Sequence, residues 1–348
     1  MALNRANIDY ELVGWSEIDK FAIKAHNALF PQWTDRNFGD ISKIDWSQVP
    51  DFDLFTYSSP CQDFSNAGKM QGGEKGSGTR SSLLWECEKA IRAKMPKYLL
   101  MENVANLVSK KFIGTFQNWL NVLSELGYTN YWQVLNAKDY GVPQNRKRVF
   151  VVSILNSQEP YYFPKKIGTS LVLKDLLEKK VRKRYYLSKK MINCFETHAA
   201  RYGGRGHHFA WNPTDGNTIG RTILASCGYR PSDNYIEIVG RTHKGQSGIV
   251  YGTNGNSPTI TTNKGDGIRI QTFQQQSSTT KRIRKLTERE CFRLMGVADI
   301  DSNKIRNAVT KTQCYKLAGN SIVVDVLVAI FNQLFSDDKT TDKQLKLF

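Results

Sequence analysis

The chain reads as an α/β protein: a doubly wound, mainly parallel sheet with a second, smaller β-rich lobe. Two observations predict this. Short apolar runs at residues 12–15, 54–57, 98–101 and 149–154 alternate with helical stretches at 21–29, 83–94 and 112–126, the rhythm of strand-helix-strand units. From about residue 156 to 281 the composition changes to Gly, Thr, Asn, Arg and aromatic residues in short pieces. Turn signals there, such as Thr253-Asn254-Gly255-Asn256 and Lys264-Gly265-Asp266-Gly267, predict short strands and loops.

In chain order, a helical start up to Asn7 leads into the strand at 12–15. An amphipathic helix follows, with Phe21, Ala25 and Leu29 on one face. The remaining strands of the first region end with 149–154, one of the last in the sheet. After the lobe, Thr287-Glu288-Arg289-Glu290 has the form of a capping box that opens a helix to residue 294. Residues 323–334 form a second, strongly apolar helix, and both helices read as a return to the first core. The expected division is a first domain at 1–155, an inserted lobe at 156–281, a return at 282–335 and a tail at 336–348. That tail is a polar leash ending in Gln344-Leu345-Lys346-Leu347-Phe348.

Composition narrows the class. With 348 residues, 40% of them hydrophobic, the chain can build a full-sized core. No uninterrupted apolar run reaches the roughly 18 residues of a membrane span, and no basic-then-apolar leader opens the sequence, so the cytosol is the default address. Six cysteines without a C-x-x-C pair point to neither a zinc site nor a disulfide framework; a functional cysteine here works as a thiol. The formal charge of +17 favours nucleic acid as partner, because Lys and Arg gain affinity by displacing counterions from phosphates.

Three clusters carry chemistry. Ser59-Pro60-Cys61-Gln62 directly follows the strand at 54–57, where α/β folds place active sites. Glu102, in Met101-Glu102-Asn103-Val104, stands at the exit of another apolar strand. Gln144-Asn145-Arg146-Lys147-Arg148 precedes the strand from Val149, and its alternating arginines would share one face of an extended segment. Each cluster alone has a bland reading: an inert small cysteine, a solvated loop acid, a basic sheet edge.

Together and in this order, Pro60-Cys61-Gln62, Glu102-Asn103-Val104 and Gln144-x-Arg146-x-Arg148, followed by a variable region and Ala318-Gly319-Asn320-Ser321, resemble the motif series of bacterial and phage cytosine-5 DNA methyltransferases. The resemblance covers roughly residues 8–155 and 282–332. It implies a Rossmann-like S-adenosylmethionine-dependent fold, double-stranded DNA as substrate, and Cys61 as the nucleophile that adds to carbon 6 of a flipped-out cytosine. Glu102 would hydrogen-bond the edge of the base where charge develops. Arg146 would lie beside the base and the thiolate, with Arg148 in a supporting role. The Gly- and Lys-rich residues 64–82 would be the loop that closes over DNA.

The same resemblance assigns Glu17 to the ribose hydroxyls of the cofactor, Ile18 to the adenine ring and Asp40 to the adenine amine. Asn320 and Ser321 would close the methionine side, with Pro60 and Leu83 as further contacts. Gln144, Thr222 and Thr259 would face DNA, the two threonines each belonging to a threonine-aliphatic pair in the target-recognition lobe at 156–281. A restriction endonuclease system is an implied partner. A tRNA methyltransferase on the same scaffold and a non-catalytic DNA-binding remnant are the alternatives.

One departure stands out. The family resembled begins with a strand and an F-x-G-x-G turn that lets backbone approach the cofactor, whereas this sequence opens at Met1-Ala2-Leu3-Asn4-Arg5, the helix that should follow that turn. A central strand is thus expected to be absent, through an upstream start, a companion chain or truncation, the upstream start being preferred. Two open strand edges would then make independent folding costly. The terminal Gln344, Leu345, Leu347 and Phe348 resemble the Q-L-x-L-F peptide that docks on the bacterial replication sliding clamp; the other reading is a tail that packs back on the protein.

Overall fold

A six-stranded sheet organises the first half of the molecule. The structure is a computed structural model that describes residues 1–58, 84–185, 286–335 and 344–348, together with the strands at 238–241, 249–251, 257–258, 269–272 and 282–285. It divides into two compact units, residues 1–136, 147–166 and 326–348 in the first and 137–146 and 167–325 in the second.

In the first unit the sequence alternates as expected: α1 (Ala2–Arg5), β1 (Tyr10–Leu12), α2 (Lys20–Leu29), β2 (Leu54–Tyr57), α3 (Leu84–Lys94), β3 (Tyr98–Val104) and α4 (Ile113–Glu125). Antiparallel β4 (Tyr128–Asn136) and β6 (Lys147–Leu155) follow in this unit, and the two-residue β5 (Gln144–Asn145) between them belongs to the other. The first four residues of β3 are all buried, as a continuous apolar run in a central strand must be. In α4, Phe116, Trp119, Leu120 and Leu123 are buried, a spacing that puts all four on one helical face. Asp19 caps α2 by accepting from the Phe21 amide at 2.8 Å, which satisfies one of the orphan donors of the first turn.

The strand order is β1-β12-β2-β3-β6-β4, where β12 is Leu345–Leu347. β12 runs parallel to both neighbours, with Tyr10 opposite Leu345, Glu11 opposite Lys346, and Leu347 opposite both Leu12 and Leu54. Phe348 is buried among Phe38, Trp46, Phe52 and Phe55. Two expectations are corrected by this. The sheet has a strand in the slot between β1 and β2, so the predicted open edges are paired. And Leu345–Leu347 are a strand of that sheet, with Phe348 bonded to β2 and the Gln344 side chain to Asp9, instead of a free peptide offered to a sliding clamp, because two hydrogen-bonding edges and an aromatic pocket satisfy backbone and side chains together.

The second unit contains a four-stranded sheet in the order β11-β10-β8-β7, built from Arg282–Lys285, Arg269–Thr272, Ile249–Tyr251 and Ile238–Arg241, and a small pairing of β5 with β9 (Ser257–Pro258). It also contains α5 (Glu288–Arg293), α6 (Asp299–Ala308) and α7 (Lys311–Asn320). The predicted capping box is present: Thr287 Oγ1 accepts from the Glu290 amide and Glu290 Oε2 from the Thr287 amide.

The return to the first unit falls at residue 326, inside α8 (Val324–Leu334), and not at 282 as expected. Local reasons are visible in α5, whose Glu290 accepts from the Glu178 amide at 2.8 Å and whose Arg293 donates to the Leu176 carbonyl at 2.9 Å. Residues 311–334 have the length and apolar composition of a membrane span, but half of the stretch is buried and Ser321–Val323 interrupt it between α7 and α8, as expected of core helices.

Candidate active site

Parallel pairing brings the predicted strand exits to one edge of the sheet. Tyr57, the last residue of β2, lies opposite Met101 of β3, so the chain leaving β2 toward Pro60 and Cys61 departs beside Glu102. Cys61, Pro60, Leu83, residues 64–82, Thr222 and Thr259 lie outside the described residues. Glu102 stands near the end of β3, opposite Phe150 of β6. Its Oε1 forms an ion pair with Arg148 Nε at 3.1 Å, and the two side chains are only 12% and 16% exposed. The pair is diagonal across an antiparallel ladder, since Arg148 itself lies opposite Val104, a separation long side chains bridge readily. Asn103, the next residue, is buried and accepts from the Val104 amide at 2.8 Å.

Arg146 has a different setting from the one its spacing to Arg148 predicts. It falls between β5 and β6, whereas Arg148 lies within β6, so the two are not alternate residues of one strand. Arg146 is buried in the second unit, where Nη2 donates to the Gly319 carbonyl at 3.0 Å and the Ser321 carbonyl at 2.9 Å. It therefore ties the Gln-x-Arg-x-Arg motif to the Ala-Gly-Asn-Ser motif. Asn320 is exposed at the end of α7, and Ser321 Oγ donates back to the Ala318 carbonyl at 3.1 Å. Gln144 is corrected: it is fully buried, with Nε2 donating to the Leu294 carbonyl at 2.5 Å, so its side chain supports the interior and does not face DNA.

The other predicted residues gather on two loops beyond β1. Trp15 pairs with Asn37 in an isolated parallel bridge, and Asn37 acts as a clasp. Its Oδ1 accepts from the amides of Glu17 (3.2 Å) and Gly39 (3.0 Å), while its Nδ2 donates to the Glu17 carbonyl at 3.1 Å. Ser16 adds a hydroxyl bond to the Gly39 carbonyl at 2.7 Å. Glu17 Oε1 accepts from the amides of Ile18 and Asp19, both at 2.8 Å, which orients the carboxylate at the start of α2.

Asp40 Oδ1 accepts from the Ser42 hydroxyl (2.8 Å) and amide (3.0 Å); these bonds hold its carboxyl below the usual range, the hydroxyl first. Ile18 is 71% exposed and Phe38 is 40% exposed. Two carboxylates beside two exposed apolar side chains suit a nucleoside, with acceptors for hydroxyls or an amine and an apolar face for a ring. The sequence reading missed Asn37 and Phe38. The only available signal was their position directly before Gly39-Asp40.

The described cysteines are poor nucleophiles. Cys87, Cys291 and Cys314 are buried thiols. Burial pushes Cys87 up to about 12 and Cys314 up to about 11, so both remain protonated near neutrality.

Comparison with known proteins matches this picture. The family described as C-5 cytosine-specific DNA methylase matches residues 1–336. The type II methyltransferase M2.ScrFI of Lactococcus lactis subsp. cremoris is 40% identical over 314 residues, which span 86% of this chain and 71% of that protein. The orphan methyltransferase M.SPRI of Bacillus phage SPR is 30% identical over 420 residues, covering 96% of this chain and 94% of its own. Among solved structures, the Dnmt2 methyltransferase of S. pombe superposes with a TM-score of 0.64 at 19% identity, covering 97% of this chain and 95% of that one, a likeness of fold. The order of motifs, the mixed α/β sheet and the family match agree: this chain belongs to the C-5 cytosine-specific DNA methylase family and is, by class, a DNA (cytosine-5) methyltransferase.

Proposed function

We propose that the protein methylates carbon 5 of a flipped-out cytosine in a specific duplex DNA sequence, with S-adenosylmethionine as methyl donor and Cys61 as nucleophile. The observation that carries this reading is Glu102, held by Arg148 at the end of β3, next to the strand that leads to Cys61. Carbon 5 of cytosine is a weak nucleophile. Addition of the Cys61 thiolate at carbon 6 pushes electrons toward carbon 5, and Glu102 offsets the charge that builds on the N3 edge of the ring. After carbon 5 is methylated, loss of its proton and expulsion of the thiolate restore the aromatic base and free Cys61. Base extrusion costs a few kcal/mol, which contacts from a chain of net charge +17 can offset.

S-adenosylmethionine supplies, when bound, an electrophilic methyl group. Glu17, Asp40 and Ile18 would hold its nucleoside, and Asn320 with Ser321 would border the methionine part. The lobe within 156–281 would read the target through residues such as Thr222 or Thr259. Relatives named as type II enzymes support a modification role alongside a restriction endonuclease of the same specificity.

The test is transfer of labelled methyl groups to duplex DNA and, in parallel, to tRNA, followed by trapping on DNA containing 5-fluorocytosine, which cannot lose its carbon 5 substituent. Methylated DNA and a covalent complex that disappears in Cys61→Ser are expected. Methylation of tRNA alone would replace the DNA reading, and trapping by Cys61→Ser would refute the nucleophile.

A further inference from the structure

An interior strand of the sheet, second in the order of six, comes from the opposite end of the sequence. β12 is bonded on both edges: the Leu345 amide donates to the Asp9 carbonyl (3.1 Å) and the Val13 amide to the Leu347 carbonyl (2.8 Å). On the other side, the Asp53 amide donates to Lys346, the Phe348 amide to Leu54 and the Thr56 amide to Phe348, at 2.8 to 2.9 Å. The match to the methylase family stops at residue 336, so this strand lies beyond the matched region yet fills the slot between two strands inside it.

Phe348 extends the connection to the loops beyond β1. Its ring stacks on Phe52 at 5.2 Å and stands 5.7 Å from Phe38. Gly14 is the third side of this contact: a Cβ there would sit 2.5 Å from Phe38 and 2.7 Å from Phe348, distances that side chains do not tolerate. The Phe38 amide donates to the Trp15 carbonyl at 2.8 Å, and Phe38 directly precedes Gly39 and Asp40. One aromatic ring at the end of β12 thus supports both the segment leading to Glu17 and the segment leading to Asp40.

We propose that Leu345–Leu347 is a self-donated interior strand, and that Phe348 directly after it is a positioning residue that sets the Glu17 and Asp40 loops for the nucleoside. The second half of this proposal rests on the reading that those loops hold S-adenosylmethionine. A sheet can accept an extended segment from any part of the chain, because the ladder reads backbone geometry and alternate side-chain pockets, not order in sequence.

The full-length chain carrying Glu11→Cys and Lys346→Cys tests the strand independently of any cofactor, since these residues are opposite one another in the ladder. Mild oxidation should yield an intramolecular disulfide between positions 11 and 346, identified by peptide mass. No cross-link, or one joining two chains, would overturn self-donation. For the positioning role, calorimetry with S-adenosylmethionine should show at least a tenfold loss of affinity in Phe348→Ala, recovery in Phe348→Leu, and less than a twofold change in duplex DNA binding. Repeating Phe348→Ala in the cross-linked background keeps the strand in place should the single variant misfold. Unchanged cofactor affinity there would overturn the positioning role. A cross-linked chain that keeps Phe348 and binds no S-adenosylmethionine would sink the cofactor reading, and the positioning role with it, while leaving the donated strand intact.

Discussion

Glu102 Oε1 and Arg148 Nε stand 3.1 Å apart across the β3–β6 ladder, each side chain largely withdrawn from water. An ion pair in that setting orients its carboxylate more firmly than a surface pair would, because few water molecules compete for either partner. Arg148→Ala should therefore lower kcat for methylation while leaving affinity for duplex DNA nearly unchanged. Stability should fall by about 1–3 kcal/mol, less than for a fully buried pair, because both groups keep some solvent contact. Steady-state kinetics with chemical denaturation checks this, and an unchanged kcat would remove Arg148 from the positioning of Glu102.

Arg146 bridges two backbone carbonyls of the Gly319–Ser321 turn through a single Nη2. A lysine side chain is shorter and carries a compact, strongly hydrated ammonium that this buried position would have to strip of water, so Arg146→Lys should cost about 2 kcal/mol of stability. It should also weaken S-adenosylmethionine binding through Asn320 and Ser321. A thermal midpoint equal to that of the parent chain would show that the bridge contributes little.

The carboxyl of Asp40 is held low first by the Ser42 hydroxyl and then by the Ser42 amide. A depressed folded-state value means that this interaction favours the folded, ionised form above the ordinary carboxylate value of 3.8. That contribution is lost as pH falls through the lower folded value. Ser42→Ala should move the Asp40 titration, followed by carbon NMR, back up toward the ordinary value. Identical titration curves for the two proteins would exclude the hydroxyl as the main cause.

Cys87 and Cys314 are held as neutral thiols by burial, up to about 12 and about 11. Iodoacetamide at pH 8 should therefore label neither in the native protein, and Cys87→Ala should retain methyl transfer. Rapid labelling of Cys87 or Cys314 without unfolding would contradict their burial.

Gly296 follows α5 with φ of +72°, and a Cβ there would collide with the Asp325 carboxylate. Gly296→Ala combines left-handed backbone strain with overpacking and should cost about 2–4 kcal/mol. Denaturant unfolding measures it, and a loss below the ~0.5 kcal/mol scatter of ordinary surface changes would mean that the helix end rearranges freely.

Much of this protein was legible in its sequence because local chemistry carries it. The apolar run of β3, the four buried residues of α4 and the Thr287–Glu290 capping box follow from periodicity and from orphan amides that need partners. The motifs Pro60-Cys61-Gln62, Glu102-Asn103-Val104 and Gln144-x-Arg146-x-Arg148 named the family by their order alone. Tertiary structure decided the rest. Gln144 looks like a surface residue until the Leu294 carbonyl is brought to it from 150 positions away. Arg146 and Arg148 look equivalent until a break between β5 and β6 sends them to different partners. Gln344–Phe348 reads as a loose tail, since five residues hold no periodicity that reveals which edge will accept them. Only two strand edges that need partners and an aromatic pocket, assembled from residues far away in sequence, make that segment an interior strand of a sheet.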